Sequence, residues 1–246
     1  MSKDLFSGHA KNYAAFRPEY PQTLYDFIYQ FVEQFDNAWD CGTGNGQVAR
    51  VLAKSFKQVK ASDISSRQIE NASTAANIEY HLSGVEQTDF ASDSFDLITV
   101  GQAIHWFDRE KFYTEVSRVG KLGAIIAAFG YNPVRFSPPF DEALNRFYFD
   151  VIYPYWDTER KVVEDQYQSI SFPFEEIDAP DFRTNLEWSI KDLHGYITTW
   201  SAVQHFIKQN GFNPVDEFVE GIRPLWTKET ESVYFPVFLR LGRINK

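Results

Sequence analysis

Cysteine is nearly absent from this sequence: Cys41 is the single one in 246 residues. One cysteine excludes a framework of internal disulfides, and this usage is typical of proteins kept in a reducing compartment. We therefore expect a cytoplasmic protein. We also expect Cys41 to pack beside a buried strand rather than to act as a reactive thiol, because free cysteine is commonly buried.

Long apolar runs are also absent. The sequence has no stretch of roughly 18 apolar residues, and its first residues lack the apolar core of a secretory signal peptide. The five histidines do not fall at metal-ligand spacing. We expect a soluble chain that spans no membrane and holds no metal.

Basic residues are too few for a nucleic-acid-binding surface. Lys and Arg number 24 against 34 acidic residues, which gives a net charge of −10. Neutralising phosphates requires a basic face, so we expect small-molecule partners, no nucleic acid, and a monomer or homodimer. A local basic pocket remains compatible with this charge, because salt screens the overall field beyond about 8 Å. The candidate cations are Arg17, Arg135, Arg146 and the histidines.

The most informative motif that is present places three glycines at alternate positions, in Asp40-Cys41-Gly42-Thr43-Gly44-Asn45-Gly46. Each glycine would weaken a helix or strand interior by roughly 0.5–1 kcal/mol relative to alanine. The apolar residues that follow recur at helical spacing: Val48, Val51, Leu52 and Phe56. The motif therefore predicts a tight strand-to-helix turn whose backbone lies close to a nucleotide-like ligand.

Charge around this turn favours one cofactor. A dinucleotide-binding turn has the spacing G-x-G-x-x-G, whereas this one has G-x-G-x-G with Asp40 two residues before the first glycine. A carboxylate there would repel a phosphate but would suit the sulfonium and ammonium groups of S-adenosylmethionine. Asp63 ends the next apolar run, where it would accept hydrogen bonds from both ribose hydroxyls of either cofactor. A nicotinamide-dependent oxidoreductase is the disfavoured alternative.

Further motifs carry a family resemblance. They are Phe6, Tyr13, Arg17-Pro18 and Tyr20-Pro21 before the turn, then Gly84-Val85-Glu86, Phe90, residues 93–98 and Gln102-Ala103-Ile104-His105-Trp106-Phe107. With them the chain resembles the class I S-adenosylmethionine-dependent methyltransferases of type 11, and among these the trans-aconitate methyltransferases. The resemblance covers about residues 5–130, and residues 196–201 are similar to a helix of the same relatives.

The turn and the resemblance together assign site residues. We expect the cofactor to contact Asp40, Gly42, Thr43, Gly44, Asp63, Ile64, Val85, Glu86 and Gln102. We expect the substrate to contact Tyr13, Arg17, Tyr20, His105 and Trp106. His105 is the candidate catalytic residue. S-adenosylhomocysteine would be formed from the cofactor when it has lost its methyl group.

The order of secondary structure predicts a doubly wound, mostly parallel α/β sheet of seven strands, Rossmann-like as in class I methyltransferases. Strands are expected at residues 37–40, 59–62, 80–82, 95–100, 123–129, 182–190 and 233–239. Helices are expected at residues 9–16, 21–35, 65–76, 109–119, 141–156 and 193–209, the last ended by Asn210-Gly211. A switch point between the first and fourth strands would bring the glycine turn opposite Gln102 and Trp106. Pro236 suggests an edge position or a bulge for the last strand.

We expect a single domain over residues 1–246. Residues 1–35 would form an N-terminal helical cover, and residues 131–181 a helical insertion on the substrate side. The insertion contains an aromatic-rich amphipathic stretch, and aromatic residues make up 17% of the whole chain. Such a cluster would exclude water from a small-substrate pocket.

The predicted reaction is methyl transfer from S-adenosylmethionine to a small molecule, with O-methylation of a carboxylate of a trans-aconitate-like acid as the leading hypothesis. A carboxylate needs no general base. A hydroxyl, amine or carbon acceptor usually does, and His105 would then be that base. A non-catalytic S-adenosylmethionine-binding protein is the further alternative.

Overall fold

A computed structural model describes residues 18–246, so the predicted helix at 9–16 and the candidates Tyr13 and Arg17 lie outside the described residues. The described part of the chain is built around an eight-stranded sheet. Its strands are β1 (Asn37–Cys41), β2 (Gln58–Asp63), β3 (Ile78–Leu82), β4 (Phe95–Gly101), β5 (Gly120–Tyr131), β6 (Glu175–Ile177), β7 (Phe182–Trp188) and β8 (Glu231–Arg243).

The strand order is β3-β2-β1-β4-β5-β8, and β6 and β7 both pair with the far side of β8. Strands β1 to β5 pair in parallel, whereas β8 is antiparallel to its neighbours. The predicted doubly wound sheet with a switch beside β1 is therefore confirmed. The predicted count of seven strands is wrong by one, because β6 is three residues long with two glutamates and carries no strand pattern.

Strand β8 is longer than predicted and does not lie at an edge. It pairs with β5 on one side and with β6 and β7 on the other. Pro236 is tolerated because its carbonyl faces Asn132, which follows the end of β5 and donates its N–H to that carbonyl at 2.9 Å. The N–H that proline lacks would point to the same side, where the β5 ladder has already ended.

Helices flank the sheet. They are α1 (Gln22–Tyr29), α2 (Gln47–Leu52), α3 (Ser66–Glu70), α4 (Arg109–Val119), α5 (Pro138–Arg146), α6 (Arg160–Glu164), α7 (Ile190–Thr198), α8 (Ser201–Asn210) and α9 (Pro214–Ile222). Short 3-10 turns lie at Ile104–Trp106, Tyr153–Tyr155 and Arg223–Leu225, and a π-helix at Phe147–Ile152. No helix within residues 18–246 is long and apolar enough to cross a bilayer.

Several helices are shorter or more divided than predicted. The predicted helix 21–35 ends at Tyr29 and the one at 65–76 ends at Glu70. The stretch 141–156 changes from α-helix to π-helix and then to a 3-10 turn. The predicted helix 193–209 is divided in two because Trp200 is extended, and its buried indole packs against Tyr148, Trp156 and Tyr196. Gly211, with a φ of 80°, ends α8 as predicted.

The core lies on both faces of the sheet. Alternate residues of the central strands point to opposite faces: Ala38 and Leu97 belong to one buried cluster, Trp39 and Ile98 to the other. Strand β4 is buried along almost its whole length, which matches a parallel strand covered on two sides. This packing holds the carboxyl ends of β1, β2 and β4 at one rim of the sheet.

Candidate functional site

The glycine turn joins β1 to α2 at this rim. Gly42, Gly44 and Gly46 all have positive φ, at 63°, 56° and 78°. A Cβ at Gly42 would lie 2.7 Å from the Cβ of Ala103, and one at Gly46 would meet the hydroxyl of Tyr80. A Cβ at Gly44 would meet nothing within 4 Å. The outer glycines are therefore required by packing, whereas Gly44 presents bare backbone to open space.

Asp63, at the end of β2, ties the turn to the next helix. Its Oδ2 accepts the backbone N–H of Gly44, and its Oδ1 accepts that of Ser65, both at 2.8 Å. Ser65 is also the N-cap residue of α3. A carboxylate can accept about four hydrogen bonds, so these two are compatible with additional bonds from a pair of ribose hydroxyls.

Asp40 occupies a different place from the one its sequence position suggested. Its side chain is buried beneath the turn and does not line the open space, while the hydroxyls of Thr43 and Thr99 donate to its two oxygens at 2.5 and 2.8 Å. Burial raises the pKa of this carboxyl to about 6. Asp40 can therefore act on a ligand through its charge and by fixing Thr43, not by contact.

The turn faces a cleft, here called the turn cleft. Its lining includes eight of the nine predicted cofactor residues: Gly42, Thr43, Gly44, Asp63, Ile64, Val85, Glu86 and Gln102. Tyr20 and Trp106, predicted on the substrate side, line it as well. Asp63 and Glu86 are the charged members among the described lining residues. Two acids without a lysine or arginine suit a cationic ligand and disfavour a diphosphate.

One side of the turn cleft is apolar. Ile64, which is 44% exposed, lines it together with Val85 and Phe107. Glu86 fixes the neighbouring loop, because its oxygens accept the backbone N–H groups of Val85 and Asp108, each at 3.2 Å. Apolar lining of this kind suits a planar base.

Gln102 ends β4 in a strained conformation. Its φ is 55°, which is uncommon for a residue with a side chain and is often found at functional sites. Its backbone N–H donates to the carbonyl of Phe129 at 2.9 Å, and its Nε2 donates to the carbonyl of Tyr131 at 3.1 Å. Two bonds to β5 therefore hold this residue at the wall of the turn cleft.

A second cleft adjoins the first, here called the tryptophan cleft. It shares three lining residues with the turn cleft: Gln102, Trp106 and Tyr131. Its other lining residues are His105, Trp156, Asp157, Arg160, Tyr196, Trp200 and Ser201. Ligands bound in the two clefts would therefore lie next to each other, on either side of the three shared residues.

The tryptophan cleft contains a cation. The Arg160 guanidinium lies over the Trp156 ring, 4.7 Å from its centroid, and its Nε donates to the Tyr148 hydroxyl at 3.1 Å. No carboxylate of residues 18–246 pairs with it. Sequence reasoning missed Arg160, because no motif or spacing marks it. Of the arginines proposed instead, Arg135 and Arg146 do not line either cleft, Arg146 pairs with Glu142 on the surface, and Arg17 lies outside the described residues.

His105 also lines the tryptophan cleft and is 8% exposed. Burial lowers the pKa of its imidazole to about 3, with smaller contributions from the charges of Arg160 and Arg109. Its Nδ1 is buried without a hydrogen-bond partner in the described part of the chain. His105 is therefore neutral at physiological pH and is a weak base there.

Two further buried atoms at this cleft lack a partner within residues 18–246. They are Oδ2 of Asp157 and Nε1 of Trp156. Buried polar atoms are nearly always hydrogen-bonded, so a cluster of unpartnered ones at a cleft marks a place for a polar ligand or ordered water.

Comparisons with known proteins agree with this geometry. A family profile described as a methyltransferase domain matches residues 39–128. A candidate methyltransferase of Dictyostelium discoideum is 35% identical over 249 residues, which are 98% of this chain and 95% of the relative. A candidate S-adenosylmethionine-dependent methyltransferase of Saccharomyces cerevisiae is 28% identical over 157 residues, 60% of this chain and 53% of that protein.

Solved structures give the same result. The structure of a candidate type II methyltransferase from Anaeromyxobacter dehalogenans has a TM-score of 0.88 and 34% identity, covering 94% of this chain and 99% of that one. The YcgJ protein of Bacillus subtilis is 17% identical with a TM-score of 0.52, and the match covers 92% of this chain and 99% of that one. At this identity the similarity shows the fold alone.

The sheet order, the acidic turn cleft and the relatives that match over nearly the whole chain lead to one family. S-adenosylmethionine fits the turn cleft in charge and chemistry, since the lining offers acids, bare backbone and apolar side chains. The chain belongs to the class I S-adenosylmethionine-dependent methyltransferases, and S-adenosylmethionine is its methyl donor.

Proposed function

We propose that this methyltransferase acts on a small molecule bound in the tryptophan cleft, and that the acceptor is a carboxylate of a small acid similar to trans-aconitate. The observation that carries the proposal is the shared wall of Gln102, Trp106 and Tyr131 between the two clefts. Because these three residues line both clefts, a carboxylate in the tryptophan cleft would lie next to the turn cleft. The protein's contribution to rate is then mainly positioning, which can lower a barrier by roughly 7–11 kcal/mol.

The donor side would be held by the turn cleft. Asp63 would accept the ribose hydroxyls, Ile64 and Val85 would contact the base, and the backbone at Gly44 would lie against the rest of the cofactor. When bound, S-adenosylmethionine supplies an electrophilic methyl group on a positively charged sulfur. Asp40 beneath the turn would favour this positive charge in its ionised form.

The acceptor side supports an acid. Arg160 offers a guanidinium that no carboxylate of the described chain neutralises, and such a fork matches carboxylate geometry. His105 is neutral and weakly basic, so proton removal by this residue would be inefficient. A carboxylate is already ionised near neutral pH and needs no base. The surrounding indoles of Trp156 and Trp200 would exclude water.

A hydroxyl or amine acceptor is the second candidate, and one observation favours it. The buried Oδ2 of Asp157 has no partner within residues 18–246 and could accept a proton or a hydrogen bond from such a group. A carbon acceptor and a cofactor-binding protein without turnover are the remaining alternatives.

The domain organisation enters the proposal as well. We infer one cytoplasmic domain, monomeric or homodimeric, in which the insertion at residues 131–181 forms the acceptor side, since Trp156, Asp157 and Arg160 all come from it. Residues 1–35, with Tyr13 and Arg17, would cover the site.

The chemical stability of the product tests the proposal. The protein is incubated with methyl-labelled S-adenosylmethionine and a panel of di- and tricarboxylic acids that includes trans-aconitate, and the product is then treated with mild base. A methyl ester releases its label as methanol, whereas ethers, N-methyl and C-methyl products retain it. We expect base-labile label.

Arg160→Gln should raise the KM for the acid by roughly tenfold to a hundredfold, because a hydrogen bond to a charged group contributes about 1.5–3 kcal/mol. Arg146→Gln, on the surface in an exposed ion pair, is the matched control and should leave KM unchanged. Base-stable label would replace the carboxylate proposal with the hydroxyl, amine or carbon alternative. Tight cofactor binding without transfer to any compound would indicate a non-catalytic binding protein.

A further inference from the structure

Two contacts hold the Arg160 side chain, and a third connects one of its partners to Glu164. The Arg160 Nε donates to the hydroxyl of Tyr148, the guanidinium plane lies over the ring of Trp156, and the same Tyr148 hydroxyl donates to Oε1 of Glu164. These contacts form a chain from carboxylate to phenol to guanidinium. Its last member lines the tryptophan cleft.

The direction of the protons in this chain is fixed. Burial raises the pKa of Tyr148 far above its ordinary value, so the phenol keeps its proton. The phenol donates to Oε1 of Glu164 and uses a lone pair to accept from Arg160. Of the five N–H donors of a guanidinium, one is thus used, and the four on the terminal nitrogens form the fork that matches a carboxylate.

Glu164 contacts the phenol and forms no ion pair with the guanidinium. No carboxylate within residues 18–246 forms an ion pair with Arg160, so the positive charge is not neutralised by contact. A directly paired arginine would be both oriented and neutralised. The intervening phenol orients Arg160 and leaves its charge available.

The position of Tyr148 is itself tightly determined. It lies in the π-helix Phe147–Ile152, a rare geometry that is frequent at functional sites. Its ring is buried and packs against those of Trp156 and Trp200, with centroids 5.4 and 5.9 Å away. A side chain held in this way places its hydroxyl with little rotational freedom.

We infer that Tyr148 and Glu164 are positioning residues that aim the Arg160 fork into the tryptophan cleft and thereby make this enzyme select substrates with a carboxylate over their neutral isosteres. This inference rests on the proposed acid substrate. It assigns Arg160 to recognition, and Tyr148 and Glu164 to its orientation.

Paired ligands of the same shape test it. Benzoate and its neutral isostere benzamide are titrated by calorimetry against the full chain saturated with S-adenosylhomocysteine. The wild-type protein should prefer benzoate. Tyr148→Phe removes only the hydroxyl and should weaken benzoate binding by roughly fivefold to tenfold, while benzamide binding and the Kd of the cofactor stay within twofold.

The conservative variant separates orientation from packing. Glu164→Gln keeps an oxygen that accepts from Tyr148, so it should retain most of the benzoate preference that Glu164→Ala loses. Tyr153→Phe is the matched control, because it also lies beside the π-helix and its hydroxyl forms no hydrogen bond within residues 18–246.

The possible failures differ. Equal losses for benzoate and benzamide, or a weakened cofactor Kd, would show that Tyr148 only supports packing and would overturn the inference. A Tyr148→Phe protein with full benzoate preference would overturn it too. A wild-type protein that binds neither benzoate nor any acid of the methylation panel would refute the proposed acid substrate itself, and the inference with it.

Discussion

Gly44→Ala separates the cofactor function of the turn from its contribution to stability. Gly44 has a φ of 56°, and a Cβ there would meet nothing within 4 Å of the protein. Gly211 has a φ of 80° and equally open surroundings, but it ends α8 away from both clefts. Both positions therefore have a positive φ that favours glycine. They differ in that only Gly44 lines a cleft that could hold a ligand.

The expected loss of stability is small and similar at both positions. Alanine at positive φ costs about 1–2 kcal/mol, partly offset by about 0.4–1 kcal/mol from the reduced entropy of the unfolded chain. A net loss of about 1 kcal/mol corresponds to a decrease in Tm of about 2–4 °C for a domain of this size. Thermal unfolding of the two variants measures it.

Cofactor binding should differ between them. A methyl group inserted into a close-fitting contact costs about 1–3 kcal/mol, or about fivefold to 150-fold in Kd. We expect this weakening of S-adenosylmethionine binding, measured by calorimetry, for Gly44→Ala and none for Gly211→Ala. If Gly44→Ala binds the cofactor as tightly as the wild-type protein does, the assignment of the turn as the cofactor cradle is wrong.

The remaining predictions concern three acid–base groups. Asp63→Ala should weaken S-adenosylmethionine binding by about tenfold to a hundredfold through loss of ribose contacts; unchanged calorimetric affinity would reject that role. Asp40 has a pKa raised to about 6 by burial, so its stabilising contribution is present below pH 3.8 and is lost as pH rises through 6. The unfolding free energy of Asp40→Asn minus that of the wild type should therefore increase by up to about 3 kcal/mol from pH 4 to pH 7, as measured by urea unfolding. A difference that does not change with pH would contradict this. His105→Gln should keep ester formation within about threefold, and the wild-type pH–rate profile should lack a limb near 6.5; abolished turnover would identify a base.

Many of the residues that line the turn cleft were accessible from the sequence because they depend on local constraints. Three glycines at alternate positions and an acid at the end of the next strand are set by backbone geometry, which needs no knowledge of distant residues. Parallel-sheet topology then predicted correctly that Gln102 and Trp106 would lie across from the turn. The burial of Asp40 escaped prediction because the donor hydroxyl of Thr99 comes from another strand.

The tryptophan cleft was not predictable in the same way. Trp156, Arg160 and Trp200 are brought together by packing between an irregular segment and the break between α7 and α8. The helical spacing of the apolar residues favoured one continuous helix over 141–156. Local propensity carries no information on where tertiary contacts impose a π-helix. A lone arginine without a motif is then indistinguishable from a surface charge.

The wall of Gln102, Trp106 and Tyr131 has a consequence for how this scaffold can change. Gln102 is anchored to β5 by backbone and side-chain bonds, so this wall belongs to the sheet rather than to the insertion. On the proposed assignment, substitutions among Trp156, Asp157 and Arg160 would alter the accepted compound without changing the turn cleft that would hold the methyl donor. Directed evolution of new acceptors should therefore accumulate changes on one side of this boundary, with the other side kept intact.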